Sequence, residues 1–349
     1  MRATMMILTA WALTGCATGG GAGGGATDTS ASAAVDPCEL IAARQAEAVR
    51  AQRPMAGVPA NELPARPYPA PDPTLAWDDA GGRCLRTSGG AAWGFVAEAL
   101  VVGPSGYGGA PFAHEGEVSL VRVGPDGRAS ARAAGPFVSD GDNCVTWVSA
   151  SLLTGGGGVI YEVRPECDEA MTEATFGIAV WRDGRVASPP SVARWAPLTW
   201  DGEPTRVTSL QVLATSLVGG LSGRLDVHFA IPLTVGADGE VSFDATARAA
   251  LSTRCAPRPE TSVDALWSGD RHEVIDAFGC DWVAGRSNAV ALAAATERCA
   301  ADSPPEREPD ESDEDYEMTL DQWRMERPPL CELLPFIAVE TSKPPPVRL

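Results

Sequence analysis

The chain has 349 residues, of which 44 % are hydrophobic and 21 % are charged, and this balance excludes an intrinsically disordered protein. Its 27 Lys and Arg residues are outnumbered by 46 Asp and Glu residues, which gives a formal net charge of −19. Because affinity for nucleic acid comes largely from basic side chains that neutralise phosphates, this charge argues against a nucleic-acid partner.

The first fifteen residues have the features of a signal peptide. Arg2 precedes an apolar run at residues 5–12, and this run is shorter than the ~20 residues that a membrane-spanning helix requires. No later stretch reaches that length without charges or prolines, so we predict no transmembrane helix. The leader ends with Leu13, Thr14 and Gly15, followed by Cys16.

Residues 13–16 resemble the lipobox of bacterial lipoproteins, in which an apolar residue and two small residues precede a cysteine. The resemblance implies that residues 1–15 are removed and that Cys16 carries a diacylglyceryl group on sulfur and an acyl chain, such as palmitate, on nitrogen. Ala17 stands where some lipoproteins have an aspartate that retains them at the inner membrane. The resemblance therefore implies lipid anchoring at the outer membrane, with the protein facing the periplasm or the cell surface. The alternative is an ordinary secretory leader that is cleaved elsewhere.

Residues 16–36 consist almost entirely of Gly, Ala, Ser and Thr, which is typical of a flexible linker. About 20 such residues have a root-mean-square reach of about 25 Å, enough to hold a domain away from a membrane. In the next region, residues 37–74, Asp36 and Pro37 favour the start of a short helix over residues 38–49. Prolines are frequent at residues 54–73, so this part should be extended.

Residues 75–250 consist of short β-branched and apolar runs separated by glycines, which predicts an antiparallel β core. Three runs end in Asp-Gly, at Asp126, Asp183 and Asp238, and each pair favours a hairpin turn of type I′. The turns are 57 and 55 residues apart. This spacing indicates repeated meanders, as in a propeller blade or a duplicated sandwich, or simply the hairpins of any antiparallel protein.

Residues 251–349 form a mixed C-terminal region. Residues 288–299 are the strongest predicted helix, with Ser287 or Asn288 as its cap. Residues 306–317 contain eight acidic side chains and only Arg307 as a base, which predicts a solvated acidic loop.

The cysteines predict a disulfide framework. Nine are present, and Cys16 leaves an even number, which is typical of an exported protein. Cys144 and Cys167 flank the glycine-rich turn at residues 155–158, so we expect them to pair. The four C-terminal cysteines should then pair among themselves and leave Cys38 for Cys84. The eight candidates are Cys38, Cys84, Cys144, Cys167, Cys255, Cys280, Cys299 and Cys331.

The sequence contains no recognisable catalytic, cofactor or metal motif. His272 and Glu273 imitate the start of a zinc-protease motif, but Asp276 replaces its second histidine, and the residues that follow do not favour a continued helix. Residues 140–143 carry oxygen ligands without the calcium-loop pattern, which favours a surface turn. Trp195 and Trp200 are candidates for stacking on a ligand, with core packing as the alternative.

The predicted protein is therefore mainly β, with antiparallel sheets, a few short helices and about four disulfides. We expect a lipid-anchored envelope protein with a binding or structural role toward a protein or a glycan, without cofactor or metal. The alternative is a secreted hydrolase, for example a glycosidase, because catalytic carboxylates can come from unrelated positions and leave no motif. Its catalytic residues would be unknown from sequence.

Overall fold

The computed structural model describes residues 35–66, 75–77, 84–104, 112–140, 143–167, 170–171, 174–218, 223–256, 263–309 and 312–349. The predicted signal peptide, Cys16 and the linker before residue 35 lie outside these residues. The described residues contain eight α-helices and fifteen strands in three sheets. The helices are α1 (Pro37–Arg50), α2 (Pro190–Trp195), α3 (Ala245–Arg254), α4 (Val263–Trp267), α5 (Arg271–Val283), α6 (Ala289–Ala301), α7 (Asp313–Glu326) and α8 (Pro329–Thr341).

The strands form three sheets that follow one another along the chain, except that the early strand β2 belongs to the second sheet. Sheet A contains β1 (Arg53–Pro54), β3 (Leu85–Arg86), β4 (Ala92–Pro104), β5 (Phe112–Val123) and β6 (Ala129–Ser139). Sheet B contains β2 (Ala76–Trp77), β7 (Cys144–Leu152), β8 (Gly158–Cys167), β9 (Ala170–Met171), β10 (Thr175–Arg182) and β11 (Arg185–Ala187). Sheet C contains β12 (Leu198–Thr199), β13 (Arg206–Val218), β14 (Gly223–Val235) and β15 (Val241–Ser242). Strand β1 pairs in parallel with β4, and β2 pairs in parallel with β7. The other strand pairs are antiparallel, as predicted.

Helix α1 begins where the sequence predicts and covers one face of sheet A. The Asp36 side chain accepts a hydrogen bond from the Cys38 amide at 3.1 Å, and Pro37 needs no amide partner at the first helical position. Ile41 is buried against Val96 and Val121 of the sheet. At the edge of this contact, Arg44 Nε and Glu98 Oε1 are 2.5 Å apart. The segment from Arg53 to residue 66 is extended apart from a turn at residues 56–57 and a 3₁₀ turn at Ala60–Glu62, and residues 67–73 of the predicted extended stretch lie outside the described residues.

The other face of sheet A packs on sheet B. Trp93, Leu120 and Phe137 from sheet A are fully buried in a cluster with Val159 and Val163 of sheet B. Alternate residues of strand β8 point to opposite sides, so Ile160 belongs to a different cluster on the far side of sheet B. Both faces of sheet B are thus buried.

The larger cluster joins sheet B to sheet C and to the C-terminal helices. Strand β14 contributes every second residue from Val227 to Val235 to this cluster, as expected of a strand with one buried face. Helix α5 lies on the strand so closely that a Cβ atom at Gly279 would be 2.2 Å from Phe229 Cδ2. Helix α5 nevertheless continues unbroken to Val283, so the expectation that the helix does not continue through residues 278–280 is wrong.

The three predicted Asp-Gly hairpins are present, one in each sheet. They join β5 to β6, β10 to β11, and β14 to β15, and in each case the hairpin lies at the end of a run of antiparallel strands. Only the turn at Asp183 has positive φ at both residues, 53° and 76°, as a type I′ turn requires. In the turn at residues 124–128 the Gly124 amide donates to the Arg128 carbonyl, and the turn at residues 236–240 repeats this bond. These two turns carry positive φ at the glycine and not at the aspartate, so type I′ is the wrong assignment for them.

Four disulfides connect the elements. They join Cys38 to Cys84, Cys144 to Cys167, Cys255 to Cys280, and Cys299 to Cys331. Cys144 and Cys167 are opposite each other on β7 and β8, which is the arrangement predicted from the intervening turn. The C-terminal cysteines pair among themselves and connect the helices α5, α6 and α8 to their neighbours.

The C-terminal region is more helical than its composition indicated. The predicted helix at residues 288–299 is α6, but residues 313–326, which include the end of the predicted acidic loop, form helix α7. Ser312 starts this helix because its side chain accepts a hydrogen bond from the Asp315 amide, and three acidic residues in the first turn suit the positive end of the helix dipole. Within the part of the chain that is described, no helix is both long and apolar enough to cross a membrane.

Candidate functional site

The residues that the sequence singled out do not come together. His114 is buried in β5, His228 is in β14, and His272 is exposed on α5. The apparent zinc-protease motif has structural roles instead, because Glu273 forms a capping box with Asp270 and Asp276 forms an ion pair with Arg254. Across the described ranges, no group of three His, Cys, Asp or Glu side chains is arranged to hold a metal ion.

The two candidate tryptophans have structural hydrogen bonds. Trp195 is only 7 % exposed, and its Nε1 donates to the Val241 carbonyl at 3.1 Å. Trp200 packs partly against the core, and its Nε1 donates to the Glu203 carbonyl at 2.9 Å. Trp195 is therefore packed in the core, which was the alternative to stacking on a ligand.

A buried polar group lies at one end of sheets A and B. His114 and Ser139 are cross-strand partners in β5 and β6. Asp140, which follows, begins the predicted turn, because the Asn143 amide donates to its carbonyl at 2.9 Å, but it is fully buried and not on the surface; residues 141 and 142 lie outside the described residues. Thr146 of β7 exchanges two hydrogen bonds with the backbone of Val138, at 2.7 Å and 2.9 Å. These side chains belong to the interior and offer no accessible surface to a substrate.

The best candidate site is a cleft of about 380 Å³ between three helices. We call it the helical cleft. It is formed by the C-terminal end of α5, the N-terminal end of α6 and the C-terminal end of α8. The residues important for its chemistry are Trp282, Arg286, Ser287, Asn288, Leu292 and Lys343.

The turn between α5 and α6 determines the shape of the cleft. Helix α5 ends at Val283, and Gly285 has a φ of +68°, a left-handed conformation that only glycine adopts without strain. The Arg286 amide then donates to the Asp281 carbonyl at 2.8 Å. This reversal brings Asn288 and the start of α6 next to the end of α5.

Asn288 is the unusual residue of the helical cleft. It is 8 % exposed and precedes α6, yet its side chain makes no capping hydrogen bond to the helix. Its Nδ2 donates to the Phe278 carbonyl at 3.3 Å, whereas its Oδ1 is buried and has no hydrogen-bond partner among the described residues. A buried acceptor without a donor costs on the order of 1–3 kcal/mol.

The start of α6 adds donors to the same place. The first amides of any helix lack acceptors within the helix and carry partial positive charge. Here the Ala289 amide reaches Ser287 Oγ at 3.3 Å, and the Leu292 amide closes the first turn onto the Asn288 carbonyl at 2.8 Å. The Ala289 and Leu292 amides thus have acceptors within the chain, and the side-chain oxygen of Asn288 is left without a donor among the described residues.

The charged side chains of the helical cleft are already paired. Arg286 Nε is 2.5 Å from Asp281 Oδ1, and Lys343 Nζ is 2.6 Å from Glu340 Oε1. None of the twelve residues that line the cleft is Asp, Glu or His. The cleft is therefore polar with little net charge, although the whole chain is strongly acidic.

Trp282 forms an aromatic wall of the helical cleft. It is half-buried against the core, and its Nε1 donates to the Lys343 carbonyl at 2.6 Å, which connects α5 to the segment after α8. Leu292 and Pro345 add apolar surface nearby. Sequence analysis missed this site because Trp282 and Lys343 are 61 residues apart; the one local signal, Asn288 at a helix start, indicated only a cap.

A second concavity of about 550 Å³ is lined by residues of the extended segment, including Met55, Val58 and Leu63. Apart from Arg66, the side chains that line it are apolar. Comparison with known proteins identifies no relative of the chain: no protein-family model, no curated protein and no solved structure matches it.

Proposed function

We propose that the protein is an exported, lipid-anchored binding module of a bacterial cell envelope.

 The partition of the cysteines is the observation that carries this proposal: all eight cysteines after Cys16 form four disulfides, and the ninth is the lipobox cysteine. Disulfides persist in oxidising compartments such as the bacterial periplasm and the cell surface, which supports export.

The lipid anchor follows from the lipobox and from the position of Cys16. A single acyl chain gives only marginal membrane binding, but two or three chains hold a protein durably. The acidic domain would be repelled by anionic head groups, and the linker at residues 16–36 is long enough to separate the two. We place the anchor at the outer membrane, because Ala17 follows Cys16.

A binding role is favoured over hydrolysis by the chemistry of the helical cleft. A glycosidase of the common kind needs two carboxyl groups facing the substrate. The cleft instead has an amide, hydroxyl groups, an indole ring and the start of a helix. These groups can hold and orient a ligand, but none of them is suited to general acid or base catalysis at neutral pH.

Replacement of Cys16 by serine tests the anchor. We expect Cys16→Ser to move the protein from the membrane fraction to the soluble fraction, because serine lacks the sulfur that accepts the diacylglyceryl group. The Cys144→Ser/Cys167→Ser variant is the matched control, since it removes thiols without touching the lipobox and should stay with the membrane. Mass spectrometry of the N-terminal peptide should find a lipid on Cys16. Unchanged membrane retention of Cys16→Ser, or a mature chain that begins at Met1, would contradict the anchor.

A further inference from the structure

We infer that two arginines between sheets A and B bind the carboxylate group of a small organic ligand. They are Arg122 on β5 and Arg132 on β6, and we call them the arginine pair. The site lies outside the helical cleft and goes beyond the binding role proposed above. It depends neither on the lipid anchor nor on the cleft, so each can be tested without the other.

Both members of the arginine pair point from sheet A toward sheet B. In the register of the two strands, Arg122 is opposite Ser130, which is two residues before Arg132 and therefore on the same face. The guanidinium of Arg122 lies over the ring of Trp181 in sheet B. Arg132 donates from Nη1 to the hydroxyl of Ser188, immediately after β11. Diagonal neighbours in such a ladder are about 7–8 Å apart, so two like charges are held close together.

The arginine pair lacks the carboxylate partners that other half-buried arginines of the chain have. Arg44, Arg254 and Arg271 each form an ion pair with an acidic side chain. In the described part of the chain, no ion pair joins either member of the arginine pair to Asp or Glu, although acidic residues outnumber basic ones by 46 to 27. Because burial removes hydration, a charge without a counterion is unfavourable there. A bound carboxylate would supply the missing counterion.

The nearest acidic influence on Arg122 comes from Asp126. Burial lowers the pKa of Arg122 below its ordinary value, and the charge of Asp126 offsets this in part. Asp126 is on the turn after β5, and its Oδ2 lies 3.5 Å from Arg128 Nε. It therefore acts on Arg122 only from a distance and leaves the place of a direct counterion open.

Stacking determines which atoms of Arg122 a ligand can reach. Its Cζ is 4.2 Å from the centre of the Trp181 ring and 5.7 Å from that of the Trp93 ring. Nε is fully buried, so the ligand does not contact it. The two Nη atoms keep some accessible surface, and no described residue accepts a hydrogen bond from them. Since these donors lie in the plane of the guanidinium, they remain available for two parallel bonds to one carboxylate.

The groups around the arginine pair favour a carboxylate over other ligands. A carboxylate is planar and matches the guanidinium fork of Arg122, while Arg132 supplies a second positive charge nearby. Ser130 Oγ accepts a hydrogen bond from the Val186 amide at 3.1 Å, which leaves its hydroxyl hydrogen for the ligand. Phosphate carries more negative charge than a carboxylate, so a chain with a formal net charge of −19 repels it more strongly. A cation would be repelled by both arginines.

The test uses the full chain carrying Cys16→Ser, isolated after export. The probes are acetate and benzoate, with acetamide and benzamide as uncharged counterparts and inorganic phosphate as a second anion. Heteronuclear NMR follows the side-chain signal of Arg122, assigned with Arg122→Lys, and the indole signal of Trp181, assigned with Trp181→Phe. We expect both carboxylates to shift these signals with dissociation constants in the millimolar range and to bind more weakly at high salt. The two amides should leave the signals unchanged.

Three substitutions, followed at the Trp181 indole signal, connect the binding to the arginine pair. We expect Arg122→Gln to weaken carboxylate binding about tenfold, because the charged donors are lost. Arg132→Gln should weaken it several-fold, since it removes the second charge but not the stacked guanidinium. Arg185→Gln is the matched control, because Arg185 is exposed on β11 and alternates with the buried Val186, which faces sheet A. It removes the same charge and should leave binding unchanged.

Cooperative thermal unfolding verifies that each variant folds. If Arg122→Gln does not fold, Arg132→Gln provides the test, because this residue is not part of the stack on Trp181. Arg122→Lys adds a further comparison, since it keeps the charge but loses the planar fork and should bind carboxylates several-fold more weakly than the native side chain does.

Three results would overturn the inference. One is the absence of a shift in both signals when either carboxylate is added, which would mean that Arg122 only joins the two sheets by stacking. Another is equal or tighter binding of phosphate or of the amides. The last is carboxylate binding that Arg132→Gln and every folded Arg122 variant leave unchanged, since the ligand would then occupy another surface. None of these results alters the membrane fractionation that tests the anchor.

Discussion

At the scale of single residues, Gly279 shows how a missing side chain determines the distance between two elements. A Cβ atom at this position would be 2.2 Å from Phe229 Cδ2, which is less than any contact between real side chains. Phe229 is fully buried in strand β14, and it cannot turn away without disturbing its neighbours. The contact between α5 and sheet C therefore depends on a glycine in the middle of a helix, where glycine is otherwise unfavourable.

We expect Gly279→Ala to lower the free energy of unfolding by about 1–3 kcal/mol, because overpacking of a buried contact outweighs the gain in helix propensity. Chemical denaturation under non-reducing conditions measures the change. Gly89→Ala is the control, since a Cβ atom there would be 3.9 Å from its nearest neighbour, Thr87 Oγ1. Equal stability of Gly279→Ala and the native chain would show that α5 can move away from β14 at no cost.

The charged side chain of Asp244 caps the start of α3 and so affects the stability of this helix. Its carboxylate accepts a hydrogen bond from the Ala247 amide at 3.0 Å, and this bond lowers the pKa of Asp244 below its ordinary value of 3.8. The Thr234 hydroxyl also donates to it and acts in the same direction. Because the folded pKa is depressed, the stabilisation is present above the unfolded value and is lost as the pH falls through the folded value.

Replacement of Asp244 should separate the cap from the charge. Asp244→Ala removes both and should cost about 1 kcal/mol at neutral pH. Asp244→Asn keeps a capping oxygen but does not titrate, so its stability difference from the native chain should shrink as the pH falls below 3.8. Denaturation at several pH values measures this, with the exposed Asp321→Asn as control. A stability difference that stays constant at acidic pH would mean that the ionised form of Asp244 stabilises the fold no more than the protonated form does.

At the scale of elements, the disulfide between Cys144 and Cys167 closes the hairpin of β7 and β8. The two residues are opposite each other in the register, and the intervening chain reverses at the glycine-rich turn, where Gly155 and Gly156 have positive φ. The sequence predicts this pair because a short hairpin brings residues equally distant from its turn together. The other three disulfides join segments that are not related by one hairpin.

We expect the Cys144→Ser/Cys167→Ser variant to lose about 3 kcal/mol of stability, because the unfolded chain is no longer constrained across 23 residues. Replacing both cysteines avoids an unpaired thiol that could form incorrect disulfides. Thermal unfolding without reductant measures the loss. In the presence of a strong reductant the variant and the native chain should converge, and a difference that persisted there would have to come from the serines rather than from the lost crosslink.

At the scale of the whole molecule, the described residues from Val35 onward form one compact unit that contains three sheets and four disulfides. The two main clusters share sheet B, whose opposite faces belong to different clusters. The disulfides are distributed over the unit, from α1 to α8. Oxidation should therefore be complete in the native protein.

Thiol counting tests this prediction on the whole chain. The mature protein, unfolded without reductant, should contain no free thiol, because eight cysteines are paired and the sulfur of Cys16 is bound to lipid. A non-lipidated precursor that has passed through an oxidising compartment should contain one. Two or more reactive thiols in the mature protein would contradict the disulfide framework, and a mass shift on reduction provides an independent count.

The features of the fold that the sequence predicts correctly are local ones. The start of α1 at Asp36 and Pro37, the hairpins at the three Asp-Gly pairs, α6 and the pairing of Cys144 with Cys167 all depend on residues close together in the chain. Backbone preference and hydrogen bonding act over this range, so their patterns can be read directly. The turn type was predicted correctly only for Asp183, where two residues join the strands, because type I′ is a two-residue turn and five residues join the strands in the other two hairpins.

The surroundings of each residue, in contrast, are known only from the folded structure. The close packing of α5 on β14 places Gly279 against Phe229, and the helical cleft depends on Trp282 and Lys343, which are 61 residues apart. An unpaired acceptor at Asn288 becomes visible only when every neighbour is known. Such features arise from packing between distant segments, for which a linear sequence contains no repeating signal.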